Sequence, residues 1–454
     1  VSAVGNTAVG YQALNVNTAN YNTAVGYQAG IGVTTSSGIT AVGYQTLTGD
    51  SAYNTTAIGY SALRINGSTG YSNTAVGALA MRSNTSGRDN VAIGSDVAGV
   101  TAEAALYTNT SGSRNVAIGN AAMGLNLTGS NNTAVGYFAG FVNSTGTLTT
   151  YIGYLAGQYA QSSYNTGVGY QAVRGSTSGG SGEYNTGVGG AALSNFTSGE
   201  RNTAVGVAAL AANSSGSINT AVGMYALASN QTAVSNTAVG YQAGYYFNGP
   251  SGINTYVGTY AGFNSTGANT SDYGNTFIGY AAGFSVANAG GTQTGIYNTF
   301  IGASAGYAMT TGSNNTILGR FDGNSGGLDI RTANNYIVLS DGSGNPRGIF
   351  DNNGTFLLGT TSAAVNQQGL VVVTPNTGGR LAGSFTNASS SSPYGVGVVY
   401  SAMSPNGAGQ EFFTAADTTA TRFYVASNGG IGNYSANNVN LSDRREKTNF
   451  APAT

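Results

Sequence analysis

The sequence predicts an all-β fold, a parallel β-roll or β-solenoid of about 18 rungs, from three observations. A short motif ending in glycine recurs along most of the chain. The residue before that glycine is Val, Ile or Leu in every copy. The rest is rich in Gly, Asn, Ser and Thr, the residues of turns and short strands.

The motif is Asn6-Thr7-Ala8-Val9-Gly10, repeated at Asn22–Gly26, Asn73–Gly77, Asn132–Gly136, Asn202–Gly206, Asn219–Gly223 and Asn236–Gly240. Looser copies include Asn90-Val91-Ala92-Ile93-Gly94, Asn275-Thr276-Phe277-Ile278-Gly279 and Asn315-Thr316-Ile317-Leu318-Gly319. From Gly10 to Gly319 there are 18 motif glycines, most of them 16 to 18 residues apart. The invariant aliphatic column, with Val9, Val25, Ile93, Val135, Val205, Val239, Ile278 and Ile301 among its members, predicts a buried side chain in each rung. Thr or Val two residues earlier shares its face of the strand. The residue between them is usually Ala, but is Tyr151, Tyr256, Phe277, Phe300 or Ile317 in other copies. The opposite face is therefore also apolar, and a strand apolar on both faces is covered on both.

The motif glycine permits a tight bend or close backbone approach. Asn opens 15 of the 18 copies and suits either left-handed backbone or side-chain ladders between stacked turns. Ala follows the glycine by three residues at Ala13, Ala29, Ala62, Ala139, Ala172, Ala209, Ala243 and Ala282. One rung thus reads as strand, bend, short strand and polar loop. Rungs stacked at about 4.8 Å make a rod about 85 Å long. A rung this small encloses little volume, so a lone roll buries too little apolar surface, and an oligomer is expected. High glycine density and the lack of an apolar 3.6-residue period disfavour a helical solenoid.

Composition removes several classes of function. The chain has no Cys, no His and no Trp, so zinc sites, Cys–His nucleophiles and Ser–His–Asp triads cannot be assembled within it. No metal or cofactor is expected. Charged residues are 6% of the chain and the net charge is −1, which gives no basic surface for nucleic acid. No run of about 18 apolar residues is present, so no membrane insertion is expected. The segment Val1–Gly5 lacks the basic and apolar regions of a signal peptide.

After Gly319 the repeat fades, with Asn335-Tyr336-Ile337-Val338-Leu339 as a degenerate last strand. Hairpin signals follow at Asp341–Asn345 and Asp351–Gly354, between Gly348–Phe350 and Thr355–Leu358. Strands are predicted at Leu370–Val373, Val396–Tyr400, Glu411–Thr414 and Arg422–Val425. The expected organisation is a repetitive roll over 1–325, a β-rich capping domain over 326–441 and a short charged tail over 442–454.

Asn90–Gly94 and Asn115–Gly119 resemble the head repeats of YadA-type trimeric adhesins, which form left-handed parallel β-rolls. The longer units, such as Asn236–Gly244, are similar to arrays in bacteriophage tail-fibre proteins. This likeness covers about residues 1–325 and implies a trimer for both the roll and the C-terminal domain. Leu441-Ser442-Asp443-Arg444-Arg445-Glu446-Lys447 resembles the start of an endosialidase-type intramolecular chaperone, which implies a self-cleavage boundary at Leu441, Ser442 and Asp443. That family's cleavage uses a His, and this chain has none.

The resemblance implies a homotrimeric phage tail fibre, an extracellular part of the virion. Its partners would be tail or baseplate proteins and a host-surface glycan or protein. The alternatives are the head of a bacterial trimeric autotransporter adhesin, or a purely structural appendage. Receptor-binding candidates are Tyr245, Tyr246 and Phe247, with Tyr107 and Tyr297 in or beside longer spacers. Packing between subunits is the competing role for the Tyr245–Phe247 trio. A glycan-depolymerising hydrolase would need paired carboxylates. Asp50, Asp89, Asp96, Glu103, Glu183, Glu200 and Asp272 are scattered, and turn chemistry accounts for most of Asp322, Asp329, Asp341 and Asp351. No enzymatic activity is expected.

Overall fold

The computed structural model describes residues 3–49, 53–65, 69–96, 104–249, 252–265, 274–284 and 295–361, and the strand backbones of 370–372, 411–416, 421–426 and 431–433. Among these residues every regular element is a β-strand. Eighteen three-residue strands, from β1 (Thr7–Val9) to β18 (Thr316–Leu318), stack in parallel, one per motif copy. The register is unbroken: Thr203, Ala204 and Val205 lie over Thr220, Ala221 and Val222, and those over Thr237, Ala238 and Val239. The chain is a β-solenoid.

The solenoid sheet continues past the last motif copy. A small hairpin, β19 (Asn324–Ser325) with β20 (Leu328–Asp329), interrupts the coil. Then β21 (Ile337–Ser340) joins β18 in parallel, with Leu339 beside Leu318. Direction reverses there. Asp341 and Asp351 close tight turns, so β22 (Pro346–Phe350) and β23 (Phe356–Leu358) add antiparallel strands, and β24 (Leu370–Val372) adds a parallel one. The chain divides into two compact units, Val1–Asn376 and Thr377–Thr454. The position expected to end the roll, after 325, falls inside the first unit. The second unit holds an antiparallel sheet of β25 (Glu411–Ala416), β26 (Thr421–Ala426) and β27 (Ile431–Asn433). The strand expected at 396–400 and the tail at 442–454, with Leu441, Ser442 and Asp443, lie outside the described residues, as do Asp50, Glu103 and Asp272.

One expectation is not met within the single chain. The aliphatic column is not the interior of the coil. Val9 is 57% exposed, Val25, Ile93, Val239, Ile278 and Ile301 are also exposed, and Val135 and Val205 are half-buried. The interior belongs to the residue before it: Ala24, Ala92, Ala134, Ala204, Tyr151, Tyr256, Phe277 and Phe300 are fully buried. The reason is volume. A coil of about 17 residues has a narrow interior, and the strand centre shares its part of that room with the position six residues later, so a large side chain at one is met by a small one at the other. Ala57, Ala75, Ala117, Ala204 and Ala221 are paired with Leu63, Met81, Met123, Leu210 and Leu227. Tyr151, Tyr256, Phe277 and Phe300 are paired instead with Gly157, Gly262, Gly283 and Gly306, and a Cβ on Gly262 would sit 2.5 Å from the Tyr256 ring.

The second half of the coil also differs from expectation. It is not a short strand. Residues such as Gln28 and Leu47 take left-handed backbone, with φ of 55° and 48° at the paired Gln28 and Gln45 positions. The alternation of conformations aims successive amides at the coil before and the coil after. Gln28 N donates to Tyr11 O at 2.8 Å and Leu47 N to Ala62 O at 3.1 Å. These bonds hold non-glycine residues in a region that otherwise costs about 1–2 kcal/mol each.

Of the two roles open to the motif asparagine, the structure uses the ladder. Asn202 Nδ2 donates to Asn185 Oδ1 at 3.1 Å and to Gly216 O at 2.8 Å, while Asn202 Oδ1 accepts from Asn219 N at 3.0 Å and Asn219 Nδ2 at 3.1 Å. The left-handed residue is its predecessor: Arg201 has φ of 55° and Tyr184 has φ of 59°.

Candidate functional site: an aliphatic stripe and an aromatic platform

Because side chains alternate along a strand, burial of the Ala column turns the Thr and Val columns outward. In-register stacking then aligns one aliphatic side chain per coil into a continuous stripe. It runs through Ile58, Ile93, Ile118, Ile152, Val188, Val222, Ile278 and Leu318 and is prolonged by Leu339, all exposed in the single chain. A stacked tyrosine row borders it, just past the motif glycine. Tyr11, Tyr27, Tyr44 and Tyr60 have successive ring centroids 5.2–5.3 Å apart, and Tyr137, Tyr154 and Tyr170 continue the pattern at 5.4 and 5.6 Å. Beside the first row, Gln28 Nε2 donates to Gln12 Oε1, and Gln45 Nε2 to Gln28 Oε1.

A second surface gathers aromatic rings from coils near the C-terminal end of the solenoid. Tyr245, Phe263, Phe284 and Tyr307 stack with centroids 5.5, 5.1 and 5.0 Å apart. Each lies five residues after its motif glycine, so the parallel register places them in one column. Tyr246 meets Tyr245 and Phe263 edge-on, and Tyr260 meets Phe263 and Phe284 edge-on. Such contacts add about 0.5–1.5 kcal/mol per pair beyond area burial. Desolvation first, then the neighbouring phenols of Tyr241 and Tyr280, raise the Tyr260 pKa above its ordinary value, so this phenol stays neutral at pH 7.

The sequence candidates separate on this geometry. Tyr245 and Tyr246 sit in the platform, Tyr245 half-buried and Tyr246 47% exposed. Phe247 does not belong to it. It is fully buried, 6.1 Å from the Tyr256 ring, so it is a core residue and not a receptor contact. It lies eleven residues after Asn236, the interior position that Phe196, Asn213, Asn230 and Met309 hold in other coils. Tyr107 is half-buried, many coils away, and accepts a 2.7 Å hydrogen bond from Arg82 Nη1. Tyr297 is exposed on another side of the coil, before the motif asparagine, with φ of 57°. Phe263, Phe284 and Tyr307 were missed; the constant offset from the motif glycine was the signal that marks them. Phe247→Ala is expected to cost about 3–5 kcal/mol through cavity formation. Tyr246→Ala should shift stability by less than about 1 kcal/mol, and thermal unfolding of the two variants checks the contrast.

The acidic residues near the end of the solenoid have local partners. Asp322 Oδ1 accepts from Asn324 N and Ser325 Oγ, and Asp351 Oδ1 from Asn353 N and Thr355 N. The Arg331 side chain beside Asp329, and that of Arg347 beside Asp341, hold both carboxyls below their ordinary range. Comparison of the chain with protein-family models, with curated proteins and with solved structures gives no match.

Proposed function

We propose that the chain is the subunit of a homotrimeric bacteriophage tail fibre, a rigid extracellular rod that attaches the virion to a host surface. The observation that carries this reading is the unbroken aliphatic stripe. A strip about 85 Å long and roughly 10 Å wide spans about 800 Å², the size of one side of a standard protein interface. Fewer than one residue in ten is charged, so little opposes burying it. Three copies around a three-fold axis form the simplest closed arrangement that the tail-fibre resemblance supports. In this reading the tyrosine rows flank the subunit contacts, tail or baseplate proteins hold one end, and the platform around Tyr245 and Tyr246 is offered to a host glycan or protein.

The test is Ile118→Asp with Ile152→Asp. Both side chains point outward, 37% and 40% exposed in the single chain, so each chain should fold normally. In the trimer the change buries six like charges, which should weaken assembly by more than about 100-fold. Sedimentation equilibrium should show a trimer for the parent and a monomer for the variant, with matching β-sheet circular dichroism. A parent chain that sediments as a monomer at micromolar concentration overturns the reading. Adsorption of the parent fibre to host cells, blocked by an antibody against the platform, tests the recognition role.

A further inference from the structure

Away from both surfaces, the coils between Tyr53 and Ser113 carry a cleft of about 540 Å³, within the ~300–1,000 Å³ range of small-ligand sites. Tyr53 and Tyr71 form an aromatic wall, Arg88 lies across it, and Ser86, Ser111 and Ser113 supply hydroxyls. Each comes from the stretch just before a strand, so the coil repeat brings residues distant in sequence together. Arg88 is held in place rather than neutralised. Its backbone N donates to Ser113 Oγ at 3.2 Å, its Nη1 donates to Tyr71 OH at 2.7 Å, and its guanidinium carbon lies 5.6 Å from the Tyr71 ring centre. No carboxylate lies within ion-pair distance of it among the described residues. The Ser86 and Ser111 hydroxyls make no hydrogen bond to another described residue.

We propose that this cleft binds a carboxylated pyranose, the acidic sugar unit of a surface polysaccharide. A guanidinium with free N–H groups suits a carboxylate, which it can take in paired hydrogen bonds. Unused serine hydroxyls suit the sugar's own hydroxyls, and an exposed phenol ring suits the apolar C–H face of a pyranose. An inorganic anion would use the guanidinium and leave the ring unused. The inference gives the host-recognition reading a second contact and a ligand class, and rests on that reading only for its biological setting.

The experiment titrates full-length protein with a galacturonic acid disaccharide, the neutral galactose disaccharide and inorganic phosphate, followed by isothermal calorimetry and ligand-observed NMR. The acidic disaccharide should bind at least 10-fold more tightly than the neutral one and should not be displaced by equimolar phosphate. R88Q should lower its affinity at least 10-fold and the S86A/S111A double variant about 5-fold, with unchanged thermal unfolding. R201Q removes another exposed arginine, over the Tyr184 ring and paired with Glu200, and should change nothing. Equal binding of the two disaccharides, unaltered binding by R88Q, phosphate binding as tight as the sugar, or no binding at millimolar concentration overturns the proposal. Cell adsorption measured on the same R88Q protein separates the two readings. A fibre that adsorbs to cells yet ignores the acidic sugar loses the cleft and keeps host recognition.

Discussion

Replacing Gly240 by alanine is expected to cost the solenoid at least about 3 kcal/mol and to uncouple the coils on either side. Two effects add. Gly240 has φ of 138°, a conformation that L side chains rarely adopt. A Cβ there would also lie 2.5 Å from the carbonyl oxygen of Gly258 and 2.6 Å from its carbonyl carbon. Both atoms are backbone, so no rotamer change relieves the overlap and the coils must separate. Separation strains the bonds from Gly240 N to Val222 O and from Gly258 N to Val239 O, both 2.8 Å. Stability in a stacked array is a sum of neighbour contacts, so a fault in one contact lets the two segments unfold apart. Calorimetry should show a broadened or split transition, and limited proteolysis a new cut near coils 14 and 15. The control is Gly190→Ala. No atom lies within 4 Å of a Cβ there, and the change should stay within about 0.5 kcal/mol. A Gly240→Ala protein that melts like the parent is incompatible with coils packed this closely.

Asn202→Ala should cost about 2–4 kcal/mol, because it leaves the buried Asn219 N without its acceptor, strips Asn219 Nδ2 of one of its two acceptors while the bond to Ala233 O remains, and removes a donor to Asn185 Oδ1. The native chain contains its own control. Thr149 stands where most coils have Asn, and its N and Oγ1 both donate to Asn132 Oδ1, at 2.9 and 2.8 Å. Asn202→Thr keeps the bond to the coil before and an oxygen for the coil after. Its cost should be less than half that of Ala in urea unfolding. Equal melting of the Ala variant and the parent would mean that the buried ladder contributes nothing net to stability.

Much of the candidate site was legible once residues were counted from the motif glycine or asparagine. Tyr245 and Tyr246 drew notice as adjacent aromatics, whereas Phe263 and Phe284 each stand alone among Gly, Ala and Asn. They join the platform because parallel stacking brings residues of equal offset to about 5 Å. Phe247 was misplaced for the opposite reason. Adjacency in sequence suggested one surface cluster, but its offset from Asn236 is that of the buried Phe196 and Met309. The cleft around Arg88 was not legible at all, since Tyr53, Arg88 and Ser111 sit in three different coils with uneven spacers between them.

The sequence alone determined the repeat, the strand positions, the parallel in-register stacking and the reversal after Ser340, because each depends on local residue type at a regular interval. It could not decide which face of the strand turns inward. Both columns are apolar, so alternation is equally consistent with either choice. The tertiary structure settled that question through volume: in the narrow coil a large side chain at the strand centre is met by Gly six residues later, as with Tyr256 and Gly262, and a large one at the later position by Ala or Gly at the centre, as with Ala204 and Leu210. The aliphatic column, Val, Ile or Leu in every coil, is left on the outside.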